Sequence, residues 1–149
     1  MAHEFFEHLK EDHEELKSIG EQLLKASGSS QREDLLSQLQ ETFEPHAAGE
    51  EASLYKWMSS QQGEMREMSL KATQEHQSAR NMIKELMKAD TGSETFKAKA
   101  SVLIDSKNHH IQEEENKVFP KVEQMLESSK IDDLYEQYQE AEEEAESKV

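Results

Sequence analysis

The chain contains no cysteine among its 149 residues, which excludes disulfides and thiolate metal sites and leaves nitrogen and oxygen as the donors for any bound ion. Proline and glycine are scarce too, at two and five residues. The bulk is Glu, Lys, Gln, Leu, Ala and Met, side chains that lose little freedom in a helix, so an all-helical chain is expected. Basic residues number 17 against 33 acidic ones, a formal charge of −16. Such a surface repels phosphate backbones and anionic headgroups, so neither nucleic acid nor membrane is expected as a partner. No apolar run approaches the ~20 residues that span a bilayer, and none at the N-terminus resembles a signal peptide; a cytoplasmic location is expected. A glycine-rich phosphate loop, a basic stripe and a Ser-His-Asp arrangement are all missing, which removes nucleotide hydrolysis, nucleic-acid recognition and triad chemistry.

What is present is a repeating apolar spacing of three and four residues, which argues for amphipathic helices rather than disorder. A first helix runs from about His3 to Ala26, with Phe6, Leu9, Leu16, Leu23 and Leu24 on one side. The second runs from about Arg32 to Ser60 with Leu35, Leu36, Leu39, Phe43, Leu54 and Trp57, and the third from Glu64 to Ala89 with Met65, Ala72, Ala79, Ile83 and Leu86. The fourth, from Glu94 to Leu126, carries Phe96, Leu103, Val118, Val122 and Met125. Short Ser- and Gly-containing breaks make successive helices antiparallel neighbours. The fold class is therefore all-α, an antiparallel up-down four-helix bundle over residues 1–127. Residues 128–149 form a short C-terminal helix bearing Ile131, Leu134, Tyr135 and Tyr138, then an acidic run, Glu140 to Glu146, read as a solvated helix end. Pro45 and Pro120 fall inside helices and should kink or break them.

Each apolar stripe is interrupted by ionisable residues, which are costly to bury unless paired or bound to metal. The interruptions are His13 on the first helix, His46 with Glu50 on the second, His76 on the third, and His110 with Glu114 on the fourth. At about 100° per residue, the pairs His46–Glu50 and His110–Glu114 share the apolar side of their helices. By the same arithmetic His3–Glu7 and His109–Glu113 are surface pairs. The four inward histidines also lie near the middle of their helices, so antiparallel packing brings them to one level. Six such residues point to a metal site, and imidazole with carboxylate suits iron, manganese or zinc. Met65, Met68, Met82, Met87 and Met125 are expected to fill core gaps. Trp57 should pack in the core, with Tyr55 partly exposed.

Four segments, LKEDHEELK around His13, HAAGEEASLY from His46, EHQSAR around His76 and HHIQEEENKVFP ending at Pro120, resemble the haemerythrin-like or HHE cation-binding domains. The similarity runs from about Phe5 to Leu126. It implies a haemerythrin-like four-helix bundle with a non-haem di-iron centre: His13 and His46 on one iron, His76 and His110 on the other, Glu50 and Glu114 bridging, and an oxo, hydroxo or water bridge between. Zinc or manganese are alternative occupants. The family's oxygen carriers have a fifth histidine where this chain has Arg80, which opens one position for Glu75, Glu51 or Glu113, among which the sequence does not choose.

An iron pair with open positions takes small diatomic or peroxide ligands, so the expected function is binding or reacting with oxygen, peroxide or nitric oxide, as carrier, sensor or peroxide-degrading enzyme. The alternative is a metal-stabilised sensing or binding module without turnover, its protein partner unspecified. A metal-free structural bundle would require six inward ionisable residues to satisfy one another.

Overall fold

The computed structural model describes residues 3–148. Its helices are α1 (Glu4–Lys25), α2 (Ser29–Ala52), α3 (Leu54–Ser59), α4 (Glu64–Lys88), α5 (Glu94–Glu113), a π-helical turn (Glu114–Val118), α6 (Phe119–Met125) and α7 (Ser128–Glu146). The chain is an all-α helical bundle in which α1, α2, α4 and α5 pack as a closed ring. Local chemistry sets several of the helix starts. The His3 ring accepts the Phe5 N–H at 3.0 Å to cap α1, the Ser93 hydroxyl accepts that of Phe96 at 3.1 Å to cap α5, and Gly63 opens α4 at φ +66°, a conformation that favours glycine.

The core has two apolar clusters. One joins the C-terminal half of α1, the N-terminal half of α2, the end of α4 and the start of α5, through Leu16, Leu23, Leu36, Phe43, Ile83 and Leu103. The other gathers Phe5, Phe6, Leu54, Met58, Phe119 and Tyr138 at the opposite end. This pairing of ends is the antiparallel order, and the inward ionisable residues lie between the clusters.

Two expected helices are interrupted. The second stops at Ser53, whose φ of −119° and ψ of −85° lie outside the helical region, and α3 restarts on a new phase. The fourth widens into the π-turn, where the Phe119 N–H reaches back five residues to the Glu114 carbonyl. Pro120, one residue later, has no N–H to continue the α pattern, so the break falls where proline removes a donor. Pro45, by contrast, does not interrupt α2.

The last helix is five turns long rather than short, and it takes in the whole acidic run. It lies along α2 and touches α1, with Ile131, Leu134 and Tyr138 buried. Its approach to α2 requires Gly49: a Cβ there would stand 2.5 Å from the Tyr138 ring. Of the methionines expected in the core, Met65 is buried and Met68 and Met82 pack at its edge, whereas Met87 and Met125 are exposed. Met58 fills the core instead, placed there by the phase reset at Ser53. No helix is long and apolar enough to cross a membrane among the described residues.

Candidate metal centre

His13 comes from α1, His46 and Glu50 from α2, His76 from α4, His110 from α5, and Glu114 from the first position of the π-turn. All six are buried, none more than 5% exposed. Their Nε2 atoms converge on the two carboxylates. His46 and His76 approach Glu50 Oε1 at 3.0 and 3.3 Å. His13 approaches Glu114 Oε1 at 3.1 Å and His110 approaches Glu114 Oε2 at 3.3 Å. His13, His46, Glu50 and Glu114 each offer a donor atom within 4.8 Å of the others, and so do Glu50, His76 and His110.

The far side of every ring is held as well. His13 Nδ1 lies 2.6 Å from Glu115, His46 Nδ1 3.0 Å from Asp12, His76 Nδ1 2.8 Å from Glu51 and His110 Nδ1 3.1 Å from Glu75. An ionised carboxylate only accepts, so each Nδ1 donates its proton outward and each Nε2 faces the interior. The supports form a circle, in which an acid on α1 holds the histidine of α2, α2 holds α4, α4 holds α5, and the π-turn returns to α1. These four acids went unremarked as supports in the sequence, although each is the chain neighbour of an inward residue. Acidic residues are too frequent here for adjacency alone to stand out.

With Nδ1 protonated, a neutral histidine presents a lone pair at Nε2, and a lone pair facing carboxylate oxygen at 3.0–3.3 Å needs a cation between. Protons are one solution. Burial disfavours charge on His46, but Glu50 and Asp12 outweigh it and push its pKa up to about 10. His110 is pushed up to about 9, where Glu114 and Glu75 overcome burial. His76 is driven well below the ordinary value by burial, with Lys107 and His110 adding to the effect. Burial and the neighbouring charge of Glu114 push Glu50 up to about 7. Metal is the other solution, and the orphaned atoms favour it: His13 Nε2, Glu50 Oε2 and Glu114 Oε1 are buried without a hydrogen-bond partner. His13 Nε2 and Glu114 Oε1 lie close but are not aligned as a hydrogen bond. Nitrogen and carboxylate donors so arranged fit a divalent or trivalent cation.

Tyr55 overturns its expected partial exposure. It is buried, and its hydroxyl donates to Glu114 and stands 3.2 Å from His110 Nε2, 3.4 Å from His76 Nε2 and 3.4 Å from Glu50 Oε1. Trp57, expected in the core, is only partly buried. The break at Ser53 explains both, because it rotates the face that α3 presents. Arg80 does not enter the centre; its guanidinium holds Glu44 at 2.8 Å and Glu51 at 2.9 Å. Glu51 and Glu75 are engaged on outer ring nitrogens, and Glu113 pairs with Lys71 and His109 at the surface. The expected surface pair His109–Glu113 thus forms at 3.7 Å, whereas His3 turns from Glu7 to Asp132 on α7.

A family model described as the Hemerythrin HHE cation binding domain matches residues 4–122. No curated protein matches the chain.

Proposed function

The chain belongs to the haemerythrin HHE cation-binding family, and from that premise we propose that it holds two iron ions and binds or reacts with oxygen, peroxide or nitric oxide. The observation that carries the reading is the division of the histidines. Each carboxylate meets one histidine from each implied pair, Glu50 with His46 and His76 and Glu114 with His13 and His110, as a bridging role requires. His13, His46, Glu50, His76, His110 and Glu114 would hold the ions, with zinc or manganese as alternative occupants.

When bound, an iron pair supplies two electrons and open coordination positions to a small ligand. The protein's own work is positioning and exclusion. Asp12, Glu51, Glu75 and Glu115 fix the tautomer and direction of each imidazole, which raises its basicity as a donor. Two apolar clusters close the layer above and below and keep bulk water out. The Tyr55 hydroxyl brings a proton and an oxygen donor to the His76 and His110 side, where the family's carriers have an extra histidine.

Metal analysis with an optical spectrum of protein from iron-supplemented cells tests this. About two irons per chain, with oxo-bridged ferric absorption in the near ultraviolet, is the expected result; zinc alone or no metal sinks it. A second reading, a metal-stabilised module without turnover, is favoured by Tyr138. This residue of α7 donates to Asp12 and lies 3.2 Å from His46 Nδ1, so the terminal helix rests on the support of an inward histidine. Peroxide consumption by the loaded protein, lost in Glu114→Ala, decides for chemistry; a rise in Tm on metal addition with no turnover decides for the module.

A further inference from the structure

The acidic run at the C-terminus, which reads from the sequence as a solvated helix end, turns one carboxylate inward. Glu142 lies on α7 one turn after Tyr138, and its side chain is 20% exposed against 72% for Glu144. There it meets His8 and Asp12, which share a face of α1 at a spacing of four, the spacing of His46–Glu50 and His110–Glu114 in the interior. His8, Asp12 and Glu142 each offer a donor atom within 4.8 Å of the others. All three are partly buried and lie outside the set of six inward residues.

The distances distinguish an ion site from an ion pair. His8 Nε2 stands 3.6 Å from Asp12 and 3.8 Å from Glu142, and it is buried without a hydrogen-bond partner. The four inward rings close on their supporting acids at 2.6–3.1 Å, as N–H donors do. His8 does not close on either acid. Donors about 2.1 Å from a tetrahedral ion lie about 3.4 Å apart, so the wider gaps at His8 fit a cation better than a shared proton. The His8 ring is packed on Tyr135 and Tyr138, with centroids at 5.6 and 5.5 Å. Asp12 Oδ2 accepts from Tyr138 and faces His46 Nδ1, and a carboxylate keeps further lone pairs for an ion. Among the described residues no lysine or arginine closes an ion pair with Asp12 or Glu142.

We propose that His8, Asp12 and Glu142 form a second cation site, which takes one divalent ion such as zinc or ferrous iron from solvent and ties α7 to α1. The site stands on its own residues and does not depend on what the inward centre holds. The test equilibrates iron-loaded protein with buffered free zinc and measures zinc and iron per chain in wild type, Glu142→Gln, His8→Ala and His109→Ala. Glu142→Gln keeps the side-chain shape, so it reads the site even where His8→Ala loosens the packing on Tyr135 and Tyr138. His109 with Glu113, a surface pair of the same spacing at 3.7 Å, is the reference. Support is a zinc ion in wild type whose Kd rises at least about tenfold in Glu142→Gln and His8→Ala, with iron content unmoved and His109→Ala like wild type. Zinc binding unchanged in Glu142→Gln, or weakened alike in His109→Ala, overturns the inference. Iron lost together with zinc from both site variants assigns these residues to the support of His46 and overturns it too. Iron absent from wild type overturns the metal-centre reading alone, because the difference in zinc between wild type and Glu142→Gln still decides this one.

Discussion

Tyr55 is the residue whose placement bears most directly on the centre. Its hydroxyl lies within hydrogen-bond reach of two imidazole nitrogens and two carboxylates, and burial with those carboxylates raises its pKa in the metal-free chain. A bound ferric ion reverses that electrostatic preference and favours phenolate. Wild-type ferric protein should then show a phenolate-to-iron band in the visible that Tyr55→Phe loses while keeping its iron; identical spectra would exclude Tyr55 as a donor. The raised pKa values of His46 and His110, about 10 and about 9, make a second prediction. Their stabilisation of the metal-free protein is whole below the ordinary 6.5 and is lost as pH climbs through those values. The Tm of metal-free protein should therefore fall between pH 7 and pH 10. Ferrous uptake at pH 7 should displace at least two protons, one from each ring with a further share from Glu50, read by calorimetry in buffers of different ionisation enthalpy. The six inward residues were legible because phase and height are regular within an unbroken helix. Tyr55 was not, because it follows a backbone break that no residue type near Ser53 announces.

At the scale of elements, the helices were legible from their apolar period, and their irregularities were legible only in part. Pro120 coincides with a π-turn while Pro45 leaves α2 intact, so proline marks a lost donor without fixing how the chain absorbs it. The terminal helix outran its expected length because glutamate, read as a source of repulsion, is also a good helix former, and because Tyr138 anchors it. That anchor is testable at Gly49. Alanine in a helix gains about 1 kcal/mol over glycine, but a Cβ 2.5 Å from the Tyr138 ring overpacks the interface at about 1–3 kcal/mol. Gly49→Ala should lower Tm, and it should weaken iron retention through the Asp12–Tyr138 support of His46. A higher Tm would show that α7 gives way without cost.

The whole molecule places a charged layer between two apolar clusters, so its stability should depend on what fills that layer. A metal bound at a hundredfold excess over its Kd contributes about 2.7 kcal/mol, which for a domain of this size is roughly 5–10 °C of Tm. Chelation should lower Tm by at least that much; an unchanged Tm would mean that the protons satisfy the layer alone. The circle of supporting acids has one more consequence, which is a symmetry. Asp12-His13, His46 and Glu50-Glu51 in the first half of the chain correspond to Glu75-His76, His110 and Glu114-Glu115 in the second, at nearly constant offset. A half-turn of the circle carries α1 onto α4 and α2 onto α5 and maps the inward set onto itself, so histidine and carboxylate alone would make two bound ions equivalent. The residue five beyond each glutamate breaks that equivalence: Tyr55 in one half and Phe119 in the other, the latter stacked 5.9 Å from the His13 ring. Beside the inward atoms the two halves thus differ by the one oxygen of Tyr55, and behind them by Tyr138 on the Asp12–His46 support, so a pair of ions bound there would be inequivalent on both counts.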